Sequence, residues 1–227
     1  MTGIFDSGVG GLTAYFELRK LLPREDIIYL ADRKNAPYGT KTKDELIALT
    51  KKDIKRLSDM GARQVLIACC TASTVWGELS EGERAIATPI ITPASRVAAE
   101  GERIAVIATE HTVRSGAFGR EIRKFSPTSE VFERAEQPLV AMVERGARDG
   151  RISEECRDEA QKIAEWVRDI RADTLVLGCT HFSHLERTLG AMLAHVRIVS
   201  PAREGARAIK EKITVTGALG NGREIYI

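Results

Sequence analysis

The sequence lacks the features typical of membrane, secreted and nucleic-acid-binding proteins. It has no apolar run of about 18 residues, the length that a transmembrane helix needs. Its first residues form a strand-like segment without the basic region and apolar stretch of a signal peptide, so we expect a cytoplasmic protein. The 34 Lys and Arg residues nearly balance the 32 Asp and Glu residues, and the net charge is only +2. Because such a charge attracts no anionic surface strongly, we expect neither nucleic acid nor a membrane as a partner.

Cysteine is also scarce. The chain has four cysteines in 227 residues, Cys69, Cys70, Cys156 and Cys179, which are too few for a disulfide scaffold. A bond between the adjacent Cys69 and Cys70 would be strained. We therefore expect free thiols, and most buried free thiols act only as small hydrophobic side chains.

Nucleotide and metal motifs are missing as well. The glycine-rich loop FDSGVGGLT has Thr13 where the G-x-G-x-x-G pattern needs its third glycine, and no P-loop lysine follows. The loop could hold an anion at a helix start, or its glycines could serve only a tight turn. His181 and His184 form an H-x-x-H pair without a C-x-x-C or H-E-x-x-H motif. We therefore predict no cofactor and no metal, and interpret His181 as a partner that promotes thiolate formation.

Apolar runs alternate with amphipathic segments along the chain, a pattern that predicts an α/β fold of mostly parallel sheets flanked by helices. Strands are predicted at residues 2–5, 26–32, 64–70, 89–92, 103–109, 131–136, 173–179 and 196–202. Helices are predicted at residues 12–22, 43–60, 72–79, from 94, 113–125, 138–146, 153–170, 185–193 and 203–213.

The pattern restarts after Gly101, and the two halves echo each other. VLIACCTAS, residues 65–73, is similar to LVLGCTHFS, residues 175–183, although any two βα units share some likeness. We predict two similar doubly wound lobes with an active site in the cleft between them. Residues 1–93 with 200–227 form the first lobe, and residues 94–199 form the second.

Ligands of open parallel sheets bind beyond the carboxyl ends of the strands. At such ends the sequence places Asp6 with Ser7, then Asp32, and one cysteine in each half. Two facing lobes would put a thiol on each wall of one cleft. One thiolate could then remove a proton from a carbon while the other thiol returns a proton on the opposite face. This pattern favours the inversion of a stereocentre, although it leaves open whether Cys69 or Cys70 is the first thiol.

Four segments, FDSGVGGLT, Asp32 through PYGTK, ACCTAS and LGCTHF, resemble the motifs of bacterial glutamate racemases in the aspartate/glutamate racemase superfamily. The resemblance covers nearly the whole chain in order. It implies a cofactor-independent isomerase that interconverts L- and D-glutamate and supplies D-glutamate for peptidoglycan. A homodimer is a further expectation.

The resemblance also implies the site residues. The catalytic thiols are Cys69 and Cys179, and the residues that assist them are Asp6, Asp32, Glu144 and His181. The residues that contact the substrate are Asp6, Ser7, Pro37, Tyr38, Gly39, Cys70, Thr71, Thr112, Thr180 and His181.

The chain departs from the family pattern at three positions. The family reads A-C-N-T-A-S, so Cys69 matches the catalytic thiol and Cys70 replaces an asparagine. Phe182 and Ser183 replace a tyrosine and a proline. An amide donates and accepts hydrogen bonds better than a thiol does, so substrate affinity or identity is expected to change. The alternatives are a relative acting on aspartate or a hydantoin, a single-cysteine nucleophile, or a non-catalytic amino-acid-binding protein.

Overall fold

The computed structural model describes residues 1–147, 152–216 and 220–227. The described strands are β1 Thr2–Asp6, β2 Ile27–Ala31, β3 Gln64–Ile67, β4 Ala87–Pro89, β5 Arg103–Ala108, β6 Glu130–Ala135, β7 Thr174–Gly178, β8 Arg197–Val199 and β9 Glu224–Tyr226. The described helices are α1 Leu12–Leu21, α2 Lys43–Asp59, α3 Cys70–Ser73, α4 Glu81–Ile86, α5 Ile91–Ala98, α6 Glu110–Ser115, α7 Ala117–Phe125, α8 Gln137–Ala147, α9 Glu154–Asp169, α10 Glu186–Met192 and α11 Pro201–Thr216. No described helix is long and apolar enough to cross a membrane.

The strands form two parallel sheets, which confirms the predicted fold class. The order is β4-β3-β1-β2-β9 in the first sheet and β6-β5-β7-β8 in the second. The central strand β1 pairs with β2 and β3, and β5 pairs with β6 and β7. Because all strands of a sheet run the same way, Asp6, Ala31 and Ile67 end at one edge. Ala108 lies opposite Gly178 at the matching edge of the second sheet.

Three apolar clusters hold these layers together. Successive strand residues point to opposite faces, so Ile4 enters an inner cluster with Ile104 and Val176, whereas Phe5 faces α2. The inner cluster also contains buried residues of α1, α5, α7 and α11. Each fully buried large aliphatic side chain contributes about 2 kcal/mol. The inner cluster therefore ties both sheets to shared helices and sets the distance between their carboxyl ends.

The end of the chain joins the first sheet. Strand β9 pairs with β2, and α11 packs along α1. The residue limits of the two lobes, 1–93 with 200–227 and 94–199, stay a prediction.

Three local predictions are wrong. The helix expected at 72–79 is replaced by the end of α3 at Ser73 and a short 3₁₀ turn at Trp76–Glu78, after which the capping box of Ser80 and Glu83 begins α4. The strand expected at 89–92 ends at Pro89, and α5 already begins at Ile91. The helix expected at 113–125 begins at Glu110 and breaks at Gly116, whose φ of 58° is a left-handed conformation.

Candidate active site

A cavity of about 380 Å³ opens at the carboxyl ends of both sheets. This volume suits a small organic ligand. Its lining comes from both halves of the chain and consists of Ser7, Gly8, Ala36, Pro37, Tyr38, Gly39, Cys69, Cys70, Thr71, Thr109, Gln137, Val140, Ala141, Glu144, Cys179, Thr180 and His181. The sequence prediction included eleven of these residues, so most of the expected site is brought together here.

Cys69 forms part of the first wall. It is the N-cap of α3, where its Sγ accepts a hydrogen bond from the Ala72 amide at 3.5 Å and donates to the Ser7 hydroxyl at 3.8 Å. Burial and the nearby Asp6 carboxyl raise the pKa of Cys69 to about 12, although the Ala72 and Ser7 contacts lower it. This thiol is therefore held in its neutral form, as a proton donor.

Cys179 forms the opposite wall, immediately after β7. Its Sγ lies 3.6 Å from His181 Nδ1, and His181 Nε2 lies 3.0 Å from Glu144 Oε1. Burial lowers the pKa of His181, but the hydrogen bonds to Cys179 and Glu144 outweigh it, so the pKa is raised well above its usual value. A charged imidazolium beside a sulfur stabilises the thiolate. The two walls therefore differ in their neighbours: a buried carboxyl lies near the Cys69 thiol, whereas an imidazole contacts Cys179.

Asp6 lies behind the cavity rather than in its lining. It is fully buried and accepts hydrogen bonds from Thr180 Oγ1 at 3.3 and 3.4 Å and from the Ser7 and Gly11 amides. Burial raises the pKa of Asp6, and His181, Thr180 and the two amides oppose this rise. The amides of the glycine-rich loop thus hold a carboxylate of the chain itself, and Asp6 connects the Cys69 wall to the Cys179 wall.

The glycines of that loop allow the two halves to approach closely. A Cβ on Gly10 would lie 2.6 Å from Thr180 Oγ1 and 2.9 Å from His181 Cε1. A Cβ on Gly11 would lie 2.5 Å from the Asp6 Cβ. Position 10 therefore requires glycine where the loop packs against Thr180 and His181 of the second half, and position 11 requires it where the loop packs against Asp6.

Three threonines connect the sheets on another side of the cavity. The hydroxyl of Thr71 lies 3.0 Å from that of Thr109 and 3.3 Å from that of Thr112, and the latter two are 2.9 Å apart. Thr112 is buried behind the cavity, whereas Thr71 and Thr109 line it. The cluster gives the cavity hydroxyl donors whose positions are fixed by one another.

The segment 37–39 forms a third wall. The Tyr38 hydroxyl donates to Asp32 Oδ2 at 2.7 Å and lies 3.0 Å from Asp53 Oδ2. Asn35 Nδ2 donates to both oxygens of Asp32 at 2.9 Å. Asp32, like Asp6 and Thr112, is therefore close to the site but outside its lining.

Cys70 lines the cavity as a third thiol. Burial and the nearby Cys179 and Cys69 raise the pKa of Cys70 well above its usual value, so it is neutral. Phe182 is fully buried in the core beside the site. No group of three His, Cys, Asp or Glu side chains in the described part of the chain could hold a metal ion.

Sequence reasoning missed several lining residues, of which Thr109 and Gln137 carry polar side chains. Thr109 directly follows β5 and caps α6, so its place at a strand end was a usable signal. Gln137 begins α8, and its Oε1 would lie 2.8 Å from a Cβ on Gly39. No local pattern marks Gln137, because only the packing of α8 against the 37–39 wall brings it into the site.

Comparisons with known proteins agree with this geometry. The family model described as Asp/Glu/Hydantoin racemase matches residues 17–209. The glutamate racemase of Gloeobacter violaceus is 39% identical over 203 residues, covering 88% of this chain and 76% of that protein. The glutamate racemase of Geobacter metallireducens is 36% identical over 216 residues, covering 92% and 78%.

A solved structure agrees over nearly the whole chain. The crystal structure of the Francisella tularensis glutamate racemase, a complex with D-glutamate, superposes with a TM-score of 0.89 at 28% identity, covering 99% of this chain and 86% of that one. Together with the two sequence relatives, this likeness extends across both sheets. The chain therefore belongs to the Asp/Glu/hydantoin racemase family of isomerases, within its glutamate racemase branch.

Proposed function

We propose that this chain interconverts L- and D-glutamate by proton transfer through Cys69 and Cys179. The observation that carries the proposal is that one cavity contains the buried thiols of Cys69 and Cys179, which come from different halves of the chain and have different neighbours. Inversion of a stereocentre requires a base on one face of the carbon and an acid on the other. The D-glutamate bound by the structurally similar Francisella tularensis enzyme supports the choice of substrate.

The proposed reaction begins with the Cys179 thiolate and the Cys69 thiol. For the enantiomer whose Cα–H faces Cys179, the thiolate takes the proton and leaves the electron pair on Cα. The Cys69 thiol then gives its proton to the other face of Cα. The product is the opposite enantiomer, Cys179 ends as a thiol and Cys69 as a thiolate, and the reverse sequence restores the starting state.

The carbanion needs stabilisation because a Cα–H is a far weaker acid than a thiol. No Lys or Arg side chain contributes to the described lining of the cavity. Because Thr180 already donates its proton to Asp6, the hydroxyls available to the substrate carboxylates are those of Ser7, Thr71 and Thr109. Donors that are already positioned stabilise developing negative charge without reorganisation. In the proposal these hydroxyls hold the substrate and the charge that develops on it.

A second candidate is a relative that acts on aspartate or a hydantoin, which the replacement of asparagine by Cys70 favours. Circular dichroism with L- and D-glutamate, and with L- and D-aspartate beside them, separates the two. Decay of the glutamate signal from both directions supports the proposal. Decay with aspartate alone transfers the assignment to the second candidate, and no decay with any of the four contradicts both amino-acid assignments.

We also propose that the D-glutamate formed supplies peptidoglycan synthesis in the cytoplasm, as the resemblance to the family implies. Expression of the chain in a bacterial strain that requires D-glutamate tests this role. Growth without D-glutamate is expected with the intact chain and not with Cys69→Ala.

Pairing into a homodimer is a separate proposal, and the exposed Phe16, Ile225 and Tyr226 support it. Analytical ultracentrifugation should then give twice the monomer mass of 25.0 kDa.

A further inference from the structure

Two carboxyl groups lie against a single phenol beside the cavity. The Tyr38 hydroxyl is 2.7 Å from Asp32 Oδ2 and 3.0 Å from Asp53 Oδ2. A phenol has one proton to donate, and an ionised carboxylate only accepts. The hydroxyl can therefore donate to one carboxylate, and the second contact is a hydrogen bond only if that carboxyl carries its own proton. For both short contacts to be hydrogen bonds, the Tyr38 hydroxyl and the carboxyls of Asp32 and Asp53 must carry two protons between them.

The surroundings place the second proton on Asp53. Its side chain is 2% exposed and lies on the face of α2 that also carries Ile54 and Leu57 of the apolar core. Asp32 is partly exposed, and Asn35 Nδ2 donates to both of its carboxylate oxygens. Because burying an ion costs more than burying a neutral carboxyl, the proton belongs on Asp53 and the charge on Asp32.

Other charged groups around Asp53 do not reverse this assignment. Burial and the Asp32 charge raise the pKa of Asp53 to about 6, against smaller opposite effects of the Tyr38 hydrogen bond and of Lys52 and Arg56 on the same helix. Cys69, the N-cap of α3, acts on Tyr38. Asp53 therefore changes its charge at a pH that an assay can reach.

We propose that Asp53 is a positioning residue of the racemase site: its protonated carboxyl donates to the Tyr38 oxygen, Tyr38 donates to Asp32, and this relay fixes the wall formed by residues 37–39. The inference rests on the proposed function. The wall touches the opposite half of the cavity, since a Cβ on Gly39 would lie 2.8 Å from Gln137 Oε1 and 3.3 Å from the Thr109 Cβ. A shift of Tyr38 therefore changes the width of the cavity.

Loss of the Asp53 proton breaks the relay. Two negative carboxylates then face one phenol, and one contact of Tyr38 changes from a hydrogen bond to a repulsion between oxygen atoms. The wall is ordered below the pKa of Asp53 and loosened above it. The KM for glutamate should therefore rise as the pH increases through about 6. By linkage, a substrate that prefers the ordered wall raises the pKa of Asp53 when it binds.

The first test is independent of turnover. In protein labelled with ¹³C at the aspartate carboxyls, one resonance should titrate near pH 6 and be absent from Asp53→Asn. Addition of D-glutamate should move its midpoint upward. If the resonance that is missing from Asp53→Asn titrates in the ordinary acidic range of an aspartate, the proton relay is refuted whether or not the chain is a racemase.

The second test uses kinetics of the intact protein. The side chain introduced by Asp53→Asn is an amide that donates to the Tyr38 oxygen at every pH, so it imitates the protonated acid. The ratio of wild-type KM to Asp53→Asn KM should start near one at pH 5 and rise to about fivefold above pH 7, with the kcat ratio flat. Asp53→Leu, which has no donor, should raise KM at pH 5 as well.

The matched control is Asp59→Asn, an exposed acid on the same helix that pairs with Lys55. The KM of Asp59→Asn should change with pH in the same way as the KM of the wild type. The positioning role would be refuted if the KM of Asp53→Asn changed with pH as the wild-type KM does. A normal KM for Asp53→Leu at pH 5 would refute it as well. Thermal melts of each variant show whether it has folded, and the carboxyl titration alone decides the relay if no variant turns over.

Discussion

The two thiol walls have the same sequence pattern and different surroundings. Each follows a buried strand, and each thiol has a threonine within two residues. Cys69 caps a short helix and lies near a buried carboxyl, whereas Cys179 contacts an imidazole that a second carboxyl supports. A two-base reaction needs one base and one acid at the start, and the unlike neighbours provide this difference. The repeated pattern therefore supplies position, and the neighbours supply protonation state.

The largest expected effect comes from removing either thiol. Cys69→Ala and Cys179→Ala should each reduce racemisation at least about a thousandfold, because loss of a general acid or base costs about 10²–10⁴ and each proton step here has only one. In D₂O, each variant should still exchange the Cα proton of only one enantiomer, the one facing the remaining thiol. Mass spectrometry measures that exchange.

Cys156→Ala is the matched control, since this thiol is buried in α9 away from the cavity. It should retain activity. Near wild-type racemisation by either cavity variant would contradict the two-base mechanism, and exchange of both enantiomers by one variant would mean that a single group reaches both faces.

The next effect tests the proposed stabilisation of a Cys179 thiolate by His181. Glu144→Gln removes the carboxylate 3.0 Å from His181 Nε2, one of the causes that raise the pKa of His181. The imidazolium exists below its pKa and is lost as the pH rises through it, so a lower pKa moves the alkaline fall in kcat/KM to lower pH. The maximal rate should drop about tenfold. Glu154→Gln on α9 is the control. If kcat/KM of Glu144→Gln falls at the same alkaline pH as that of the wild type, the role of Glu144 is contradicted.

The strand ends and the helix limits of the molecule could be predicted from the sequence to different degrees. Strand ends are readable because apolar runs stop at polar residues, and that rule located Asp6, Cys179 and the pair Cys69 and Cys70, whereas only the resemblance to the family selected Cys69. The helix expected at 72–79 failed because α3 ends at its C-cap Thr74, although the apolar spacing continues to Leu79. A local cap thus overrides a pattern that extends beyond it.

Residues supplied by tertiary packing were not predictable in the same way. Gln137 enters the site only through the docking of α8. Asp53 shares the buried face of α2 with Leu46, Thr50 and Leu57, so a polar residue at an apolar helical position was its only trace. That position could have been noticed, but its partners Asp32 and Tyr38 come from another segment of the chain.

The contact between the two walls can be tested through stability. Gly10→Ala would place a Cβ 2.6 Å from Thr180 Oγ1 and 2.9 Å from the His181 ring, so these side chains or the loop must move. Overpacking of this kind costs about 1–3 kcal/mol, and the Tm should fall by several degrees. Gly8→Ala in the same loop has no atom within 4 Å of its Cβ and should leave the Tm near the wild-type value. Equal Tm values for both variants would mean that the two walls do not need this close approach.

The smallest effect is expected at the position where the chain departs from its family. Cys70→Asn restores the family residue in the lining of the cavity, next to Cys69. An amide offers the substrate a donor and an acceptor that a neutral thiol supplies poorly, so KM for glutamate should stay the same or fall, by up to about tenfold. Circular dichroism kinetics with glutamate and aspartate measure the change for both substrates. If activity is lost completely, Cys70 is itself a reacting thiol, and the pairing of one thiol from each half would have to be assigned to Cys70 and Cys179 instead.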